Sequence, residues 1–347
     1  MIFWFAVAQA LELSMIPQTG TPPESRYYSK AVKSGDSLIM FGGDNDEFLL
    51  NDMWKFNLTS KTWSQMIYTG TEIPQGRNGH AMFVNQGQIY LYGGRTQVGL
   101  SGETWKFNLE QETWERLKID SPPFRAWSGV AYTNEKAWIF GGRSRNHVSN
   151  ELYEFSGEKW TKLEGKGDIP SKVERCNLVY WNNKLIVWGG VEKDWSFTSL
   201  DLYFYNLSTK TWTVSKPLNR LKARHSPGFF VHNDWLYCVF GYDEFGTNYI
   251  TEIWKLNLNN LAKWELAKNA SIGGDGFALV KDGNKAYILQ GLLNNENKNS
   301  IYELDLPSLD ISELSPDFPS PKPRSFHSML AIDSKFWLFG GKGSNGE

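Results

Sequence analysis

An apolar run ending in glycine recurs at nearly constant spacing along the whole chain, and it limits the possible folds more than any other feature. The runs are IMFGG, YLYGG, WIFGG, IVWGG, CVFGY, ILQGL and WLFGG. The marker glycines stand at Gly43, Gly94, Gly142, Gly190, Gly241, Gly291 and Gly341, in steps of 51, 48, 48, 51, 50 and 50 residues. Units this regular predict a repeat architecture, in which each copy buries its apolar surface against the next.

Every unit repeats one order of residues. A polar loop follows the glycines, and an aromatic comes 11 to 13 residues after the marker: Trp54, Trp105, Tyr153, Tyr203, Trp254 or Tyr302. A tight hairpin such as FNLTSKTW, FNLEQETW or YNLSTKTW then leads to a second tryptophan: Trp63, Trp114, Trp160, Trp212 or Trp264. The sixth unit has DLPSLDIS there instead, and Phe240 and Gln290 replace the first glycine in two units. Proline-rich corners separate the units. Short alternating strands with turn signals predict a four-stranded antiparallel sheet per unit. Paired glycines at a strand end allow positive φ and a close neighbour.

Composition supports this reading and removes others. Lys+Arg 36 against Asp+Glu 38 leaves a net charge of −2, so no basic field exists to hold nucleic acid. A chain that is 15% aromatic, with 16 Trp, can bury a large core and is not disordered. No apolar run reaches 18 residues, so no membrane-spanning helix is expected. Cys176 and Cys238 lie in apolar runs and read as small buried hydrophobes, too few for a disulfide framework.

From about Tyr27 to Gly341 these motifs resemble the kelch family. The resemblance implies an all-β fold, a seven-bladed β-propeller of four-stranded antiparallel blades over residues 1–347. Six repeats would lie between 24 and 323. Shifting the N-terminus by fifty residues sets Trp4 on Trp54 and Leu13 on Trp63. Residues 1–16 are therefore expected to supply the outer strands of the closing blade, and 324–347 its inner strands. The rival reading makes residues 1–10 a signal peptide with Ala8-Gln9-Ala10 as its cleavage site. Sequons at Asn57, Asn206 and Asn269 agree with secretion, but two of them fall on the repeat's own hairpin turn. The expected compartment is the cytoplasm, with secretion as the alternative.

No catalytic signature stands out. GxxxxGK[ST], HExxH and GxSxG are absent, and Gly341–Gly346 matches GxGxxG with no helix behind it. His80 and His327 share one repeat position and read as hydrogen-bonded structural residues. Galactose oxidase, a kelch propeller, holds copper with Tyr and His, but nothing brings His147, His225 and His327 to one point. Carboxylates such as Asp44, Asp46, Glu47, Asp243 and Glu244 read as solvated loop charge. The expectation is a protein without catalysis or cofactor.

Arginine gives the remaining signal. Arg26, Arg77, Arg125, Arg224 and Arg324 stand seventeen residues before a marker glycine, where the other two units have Val173 and Gly274. Arg95 and Arg143 directly follow glycine pairs, so seven of 11 arginines occupy two repeat positions. Both positions are expected on one face, around a mouth of the central channel. Arg can fork onto carboxylates, and Trp127, Trp195 and Tyr242 add aromatic anchors. The resemblance implies the same use, since kelch-like adaptors capture acidic degron peptides with arginines there. The expected role is a stand-alone, monomeric scaffold that binds another protein or acidic peptide, not nucleic acid or membrane. Three alternatives stay open: these arginines bond carbonyls at a crowded strand start, the loop tryptophans stack on glycans, or the chain is a galactose-oxidase-like metalloenzyme.

Overall fold

The second strand of each unit is apolar almost throughout, as in SLIMF, QIYLY and KLIVW, and such strands need cover on both sides. In the computed structural model they are central: all five residues of Ser37–Phe41 are buried. The structure describes residues 4–6, 13–15 and 19–343 except 69–71, 134, 195, 197–199, 244–247, 294–295, 315–321 and 333–334. Every regular element among them is a β-strand, and no helix there is long and apolar enough to cross a membrane.

Unit one shows the plan. Its antiparallel sheet runs outward as Lys30–Ser34, Ser37–Phe41, Met53–Asn57 and Thr62–Gln65. Units two to six repeat this order, and unit four adds Lys166–Gly167 in parallel beside Thr211–Trp212. In the last unit, Ser328–Ile332 pairs with Lys335–Phe339. Ser328–Ile332 touches both the innermost strand of unit six, Ala278–Asp282, and that of unit one. A hairpin of Trp4–Ala6 and Leu13–Met15 lies against Lys335–Phe339. The proposed cleavage site, Ala8-Gln9-Ala10, lies outside the described residues.

Aromatic seams hold the units together. Trp63, Trp114, Trp160, Trp212 and Trp264 are all buried. Each reaches back to the preceding unit or its own third strand: Trp114 meets Phe41 at 5.3 Å and Phe107 at 4.9 Å, and Trp212 meets Phe140 at 5.4 Å. Trp337 packs on Phe56 at 5.1 Å, joining the last unit to the first. Where unit six lacks its tryptophan, Ile311 and Leu309 pack against a core cluster shared by units five and six, which includes Tyr237, Val239, Ile288 and Leu304. Such edge-to-face and tilted pairs add to burial, the dominant contribution.

The glycine pairs make the joints. Gly43, Gly94 and Gly142 donate their amides to the carbonyls of Arg77, Arg125 and Val173 in the next unit, and Gly341 donates to Arg26 at 2.8 Å. A Cβ on Gly94 (φ 100°) would sit 2.9 Å from the Asn78 carbonyl and the His80 Cβ. Phe240, buried in a glycine's place, still takes φ 57°, whereas Gln290 does not take positive φ. Asn57, Asn108 and Asn206 each accept two backbone N–H bonds within their hairpins, for example from Thr59 and Ser60 onto Asn57. The turn therefore demands the asparagines of the first two sequons.

Candidate functional site

Strand entry fixes where the candidate residues point. In all seven units the residue after the arginine position pairs antiparallel with the residue after the marker glycine. The pairs are Tyr27 with Asp44, Asn78 with Arg95, Ala126 with Arg143, Glu174 with Val191, His225 with Tyr242, Asp275 with Leu292 and Ser325 with Lys342. The two positions therefore lie side by side on one face.

The arginines themselves turn inward. Arg26, Arg77, Arg125 and Arg224 are buried, Arg77 with 0% of its surface exposed. Each Nε donates to the carbonyl two residues back, and each Nη1 to the carbonyl of the first glycine position: Gly42, Gly93, Gly141 or Phe240. Arg324, partly buried, repeats both bonds, to Lys322 and Gly340. In the first four the guanidinium also meets a carboxylate two residues before the unit's aromatic: Asp52, Glu103, Glu151 or Glu252. That carboxylate accepts the indole N–H as well in three units, from Trp54, Trp105 and Trp254. These five residues clasp the unit's own corner, which corrects their assignment to partner binding. Desolvating a guanidinium so far is tolerable because backbone carbonyls take its Nε and Nη1 hydrogens and, in the first four, a carboxylate neutralises it.

The sequence-based candidates did not include this carboxylate, because the aromatic two residues later is the more prominent mark of the repeat. Its signal is the recurring acid in DMW, ETW, ELY, DLY and EIW. In unit four, where Val173 fills the arginine position, the acid Asp201 takes Arg220 at 3.1 Å instead.

Arg95 and Arg143 are also engaged. Arg95 is half-exposed and meets Asp44 at 3.4 Å, and Asp44 accepts from Asn78. Arg143 forks onto Glu174, which is fully buried. Asp44 and Asp243 are thus hydrogen-bonded, Asp243 to Asn248 at 2.7 Å, rather than solvated loop charge. Tyr242 lies on this face against Tyr249, with ring centroids 4.8 Å apart. Trp195 lies outside the described residues.

One residue further along is a collar. Tyr28, Gly79, Trp127, Arg175, Ser226, Gly276 and Phe326 hold the same place in the seven units, and all have φ between 48° and 64°. Their backbones link across units: Trp127 N–H to Gly79 at 2.9 Å, Arg175 to Trp127 at 2.8 Å, Phe326 to Gly276 at 2.8 Å. Glycine at position 79 makes room for a neighbour, since a Cβ there would stand 2.6 Å from the Trp127 indole. Arg175 lies over the Trp127 ring at 5.0 Å, and Tyr28 meets Phe326 at 5.3 Å. Aromatic rings and a guanidinium are thereby held at the rim by backbone rather than by core packing. Arg175 and Lys30 were absent from the sequence-based candidates, because only alignment on the arginine position reveals their places.

Inside the collar lies a cavity of about 430 Å³, bounded by innermost strands of units one to three and by Arg175 and Cys176 of unit four. Lys30, Trp127 and Tyr132 line it too. His80 and His327 are buried. Burial drives His80 well below the usual imidazole range and His327 to about 3, so both are neutral at pH 7. His80 has no hydrogen-bond partner among the described residues, contrary to the expectation of a hydrogen-bonded ring. Cys176 and Cys238 are free and buried, which pushes their thiols up to about 12 and about 11. No cluster of three or more His, Cys, Asp or Glu able to hold a metal occurs among the described residues.

Radial sheets, glycine joints and tryptophan seams define a propeller-type repeat protein. Comparison with known families agrees: a KLHDC2/KLHL20/DRC7 Kelch-repeats domain matches residues 1–175, and an Attractin/LZTR1 beta-propeller matches 137–345. The chain belongs to the kelch-repeat family. Among its relatives, a leucine-zipper-like transcriptional regulator 1 homolog of Drosophila melanogaster is 30% identical over 115 residues, 30% of this chain and 12% of that one. Kelch domain-containing protein 1 of Mus musculus is 31% identical over 118 residues, 31% of this chain and 29% of that one. An N-(sulfonatooxy)prop-2-enimidothioate sulfolyase of Thlaspi arvense is 24% identical over 135 residues, 36% of this chain and 39% of that one. The chain matches well under two thirds of each relative's length.

Proposed function

We propose that this chain is a seven-bladed ring, closed by its terminal strands, that binds another protein on the collar face without chemistry of its own. The observation that supports this is the collar: Tyr28, Trp127, Arg175 and Phe326 share a left-handed backbone, and the amides of the last three bond to neighbouring collar carbonyls. Large aromatic and guanidinium groups on a rigid frame lose little entropy on binding and make effective anchors. Half-exposed Arg95 and exposed Arg175 favour a partner segment that carries carboxylates. The clasp arginines take no part.

The test is affinity purification with mass spectrometry, comparing wild type with a Trp127→Ala/Arg95→Ala variant. Neither side chain is deeply buried, so the variant should melt within a few degrees of wild type. A protein recovered with wild type and lost with the variant supports the reading. Equal recovery of every bound protein by both sinks it.

A further inference from the structure

We propose that the outer edge of unit three, strand Lys159–Leu163, is a docking site at which an extended, acidic segment of a partner protein adds a fifth strand. This does not rest on the collar reading, since none of the residues involved belongs to the collar.

Units one, four and five cover this edge with their own chain. In unit one, Thr19 bridges Thr62 in parallel, giving its amide to the Lys61 carbonyl at 3.2 Å and accepting the Trp63 amide at 3.0 Å. Unit five repeats both bonds: Leu218 donates to Ala262 at 3.0 Å and accepts from Trp264 at 2.9 Å. In unit four, Lys166–Gly167 lies parallel to Thr211–Trp212, and the Lys166 amide reaches the Lys210 carbonyl at 3.3 Å. Each covering segment comes from the linker that leads into the unit.

Linker length decides which edges are covered. From the outer-strand tryptophan position of one unit to the arginine position of the next, the covering linkers take 13 steps (Leu13 to Arg26), 13 (Trp160 to Val173) and 12 (Trp212 to Arg224). The linkers into units three and six take only 11 (Trp114 to Arg125) and 10 (Trp264 to Gly274). The short linker into unit three turns inward, where Leu117 and Ile119 pack on the cluster that holds Trp160 and Phe155. The Trp160 amide and the Glu158 carbonyl stand where Trp63 and Lys61 stand in unit one, and neither has a backbone partner among the described residues. Glu158 has φ 57° and Lys61 φ 60°, so the two hairpins present the edge alike.

Side chains choose the occupant. An edge with free N–H and C=O groups takes up an extended chain by strand addition. Lys159, Thr161 and Lys162 are exposed on this strand, which carries no acid. Lys162 is held by Glu151 and Glu164, and the Glu158 carboxylate by Lys106. Lys159 meets no carboxylate among the described residues. A segment bearing carboxylates therefore suits this edge, and the like-charged strand of a second copy does not. Unit six shares the short linker, but Asp310 and Glu313 are exposed at its outer strand and would repel an acidic segment.

The test selects peptides on the full chain from a displayed random library, first depleted on a Lys162→Pro variant. Alternation puts the Lys162 amide on the same outward side as that of Trp160, so proline there removes an edge donor and leaves the ladder inside the unit intact. If that variant does not fold, Lys159→Glu takes its place in the depletion. Peptides recovered on wild type should be rich in Asp and Glu. The tightest one, made synthetically, should slow amide exchange at Trp160 and leave Trp63 and Trp264, already covered, unchanged. Lys159→Glu should weaken its binding about fivefold or more. Recovery of no peptide, recovery without acidic enrichment, unchanged exchange at Trp160 or unchanged affinity in Lys159→Glu would overturn the proposal. So would a Trp160 amide as protected in the free chain as that of Trp63. Protection of Trp160 that rises with chain concentration alone would make a second copy the occupant and overturn it too.

Discussion

Arg143 and Glu174, in adjoining units, are joined by two charge-assisted hydrogen bonds: Nε to Oε2 at 2.7 Å and Nη2 to Oε1 at 2.6 Å. The acid is fully buried and the guanidinium partly exposed. Beside this pair, the Arg95–Asp44 contact at 3.4 Å is longer and half-solvated. The two arginines follow glycine pairs at the same repeat position, yet their surroundings give them different energetic weight.

Arg143→Ala should therefore destabilise the fold by about 3–5 kcal/mol, because it strands a buried carboxylate. Arg95→Ala should cost about 1 kcal/mol or less, as exposed pairs do. Urea denaturation of both variants checks this. Equal, small losses would show that Glu174 finds other solvation when Arg143 is gone.

The Arg125–Glu151 clasp predicts a pH dependence with a definite sign. Burial alone would raise the Glu151 carboxyl, but hydrogen bonds from Arg125 and Lys162 outweigh it and hold the group at about 2, below its ordinary 4.5. Its contribution is complete above the unfolded value and is lost as pH falls through the folded one. The stability gap between wild type and Glu151→Gln should thus be constant from pH 7 to pH 5 and shrink steadily from pH 4.5 to pH 2. A gap that widens on acidification would contradict the clasp.

Residue identity told more about the frame than about the face. Glycine pairs and spaced tryptophans have one physical use at that period, so the blades and their aromatic seams could be read directly. A repeated arginine has two uses, inward to carbonyls or outward to a partner, and identity alone does not separate them. The acid in Asp52-Met-Trp54, Glu103-Thr-Trp105 and Glu252-Ile-Trp254 separates them once it is seen as the guanidinium's internal partner. The collar was harder still. Tyr28, Gly79, Trp127, Arg175, Ser226, Gly276 and Phe326 share no side-chain chemistry, and only their common backbone conformation unites them.

That conformation makes Gly79 a test of the collar. An alanine there would bring strain at φ 64° and press its methyl into the Trp127 indole. Gly79→Ala should cost about 1–3 kcal/mol and displace Trp127 from the rim. Trp127→Ala in the same background should recover part of the loss, since the clash is with that ring. Strictly additive losses in a double-mutant cycle would mean that the two residues do not oppose each other.

The seam between the last unit and the first should be the most informative place to test the proposed closure. Trp337 is buried against Phe56, with Lys61 over its ring at 5.1 Å, and the Gly341 amide reaches the Arg26 carbonyl. Trp337→Ala should cost about 3–5 kcal/mol through the cavity it leaves. If the terminal strands close the ring, that loss should not stay in the last unit. Amide exchange should accelerate in Ser328–Ile332 and in Lys30–Ser34, which touches it, while Asn177–Trp181 on the far side keeps its protection. Removing residues 1–16 should accelerate the same two strands, since Trp4–Ala6 lies against Lys335–Phe339. Uniform acceleration around all the units would instead mark global unfolding. Unchanged exchange at Lys30–Ser34 in both variants would mean that the first and last units do not depend on one another.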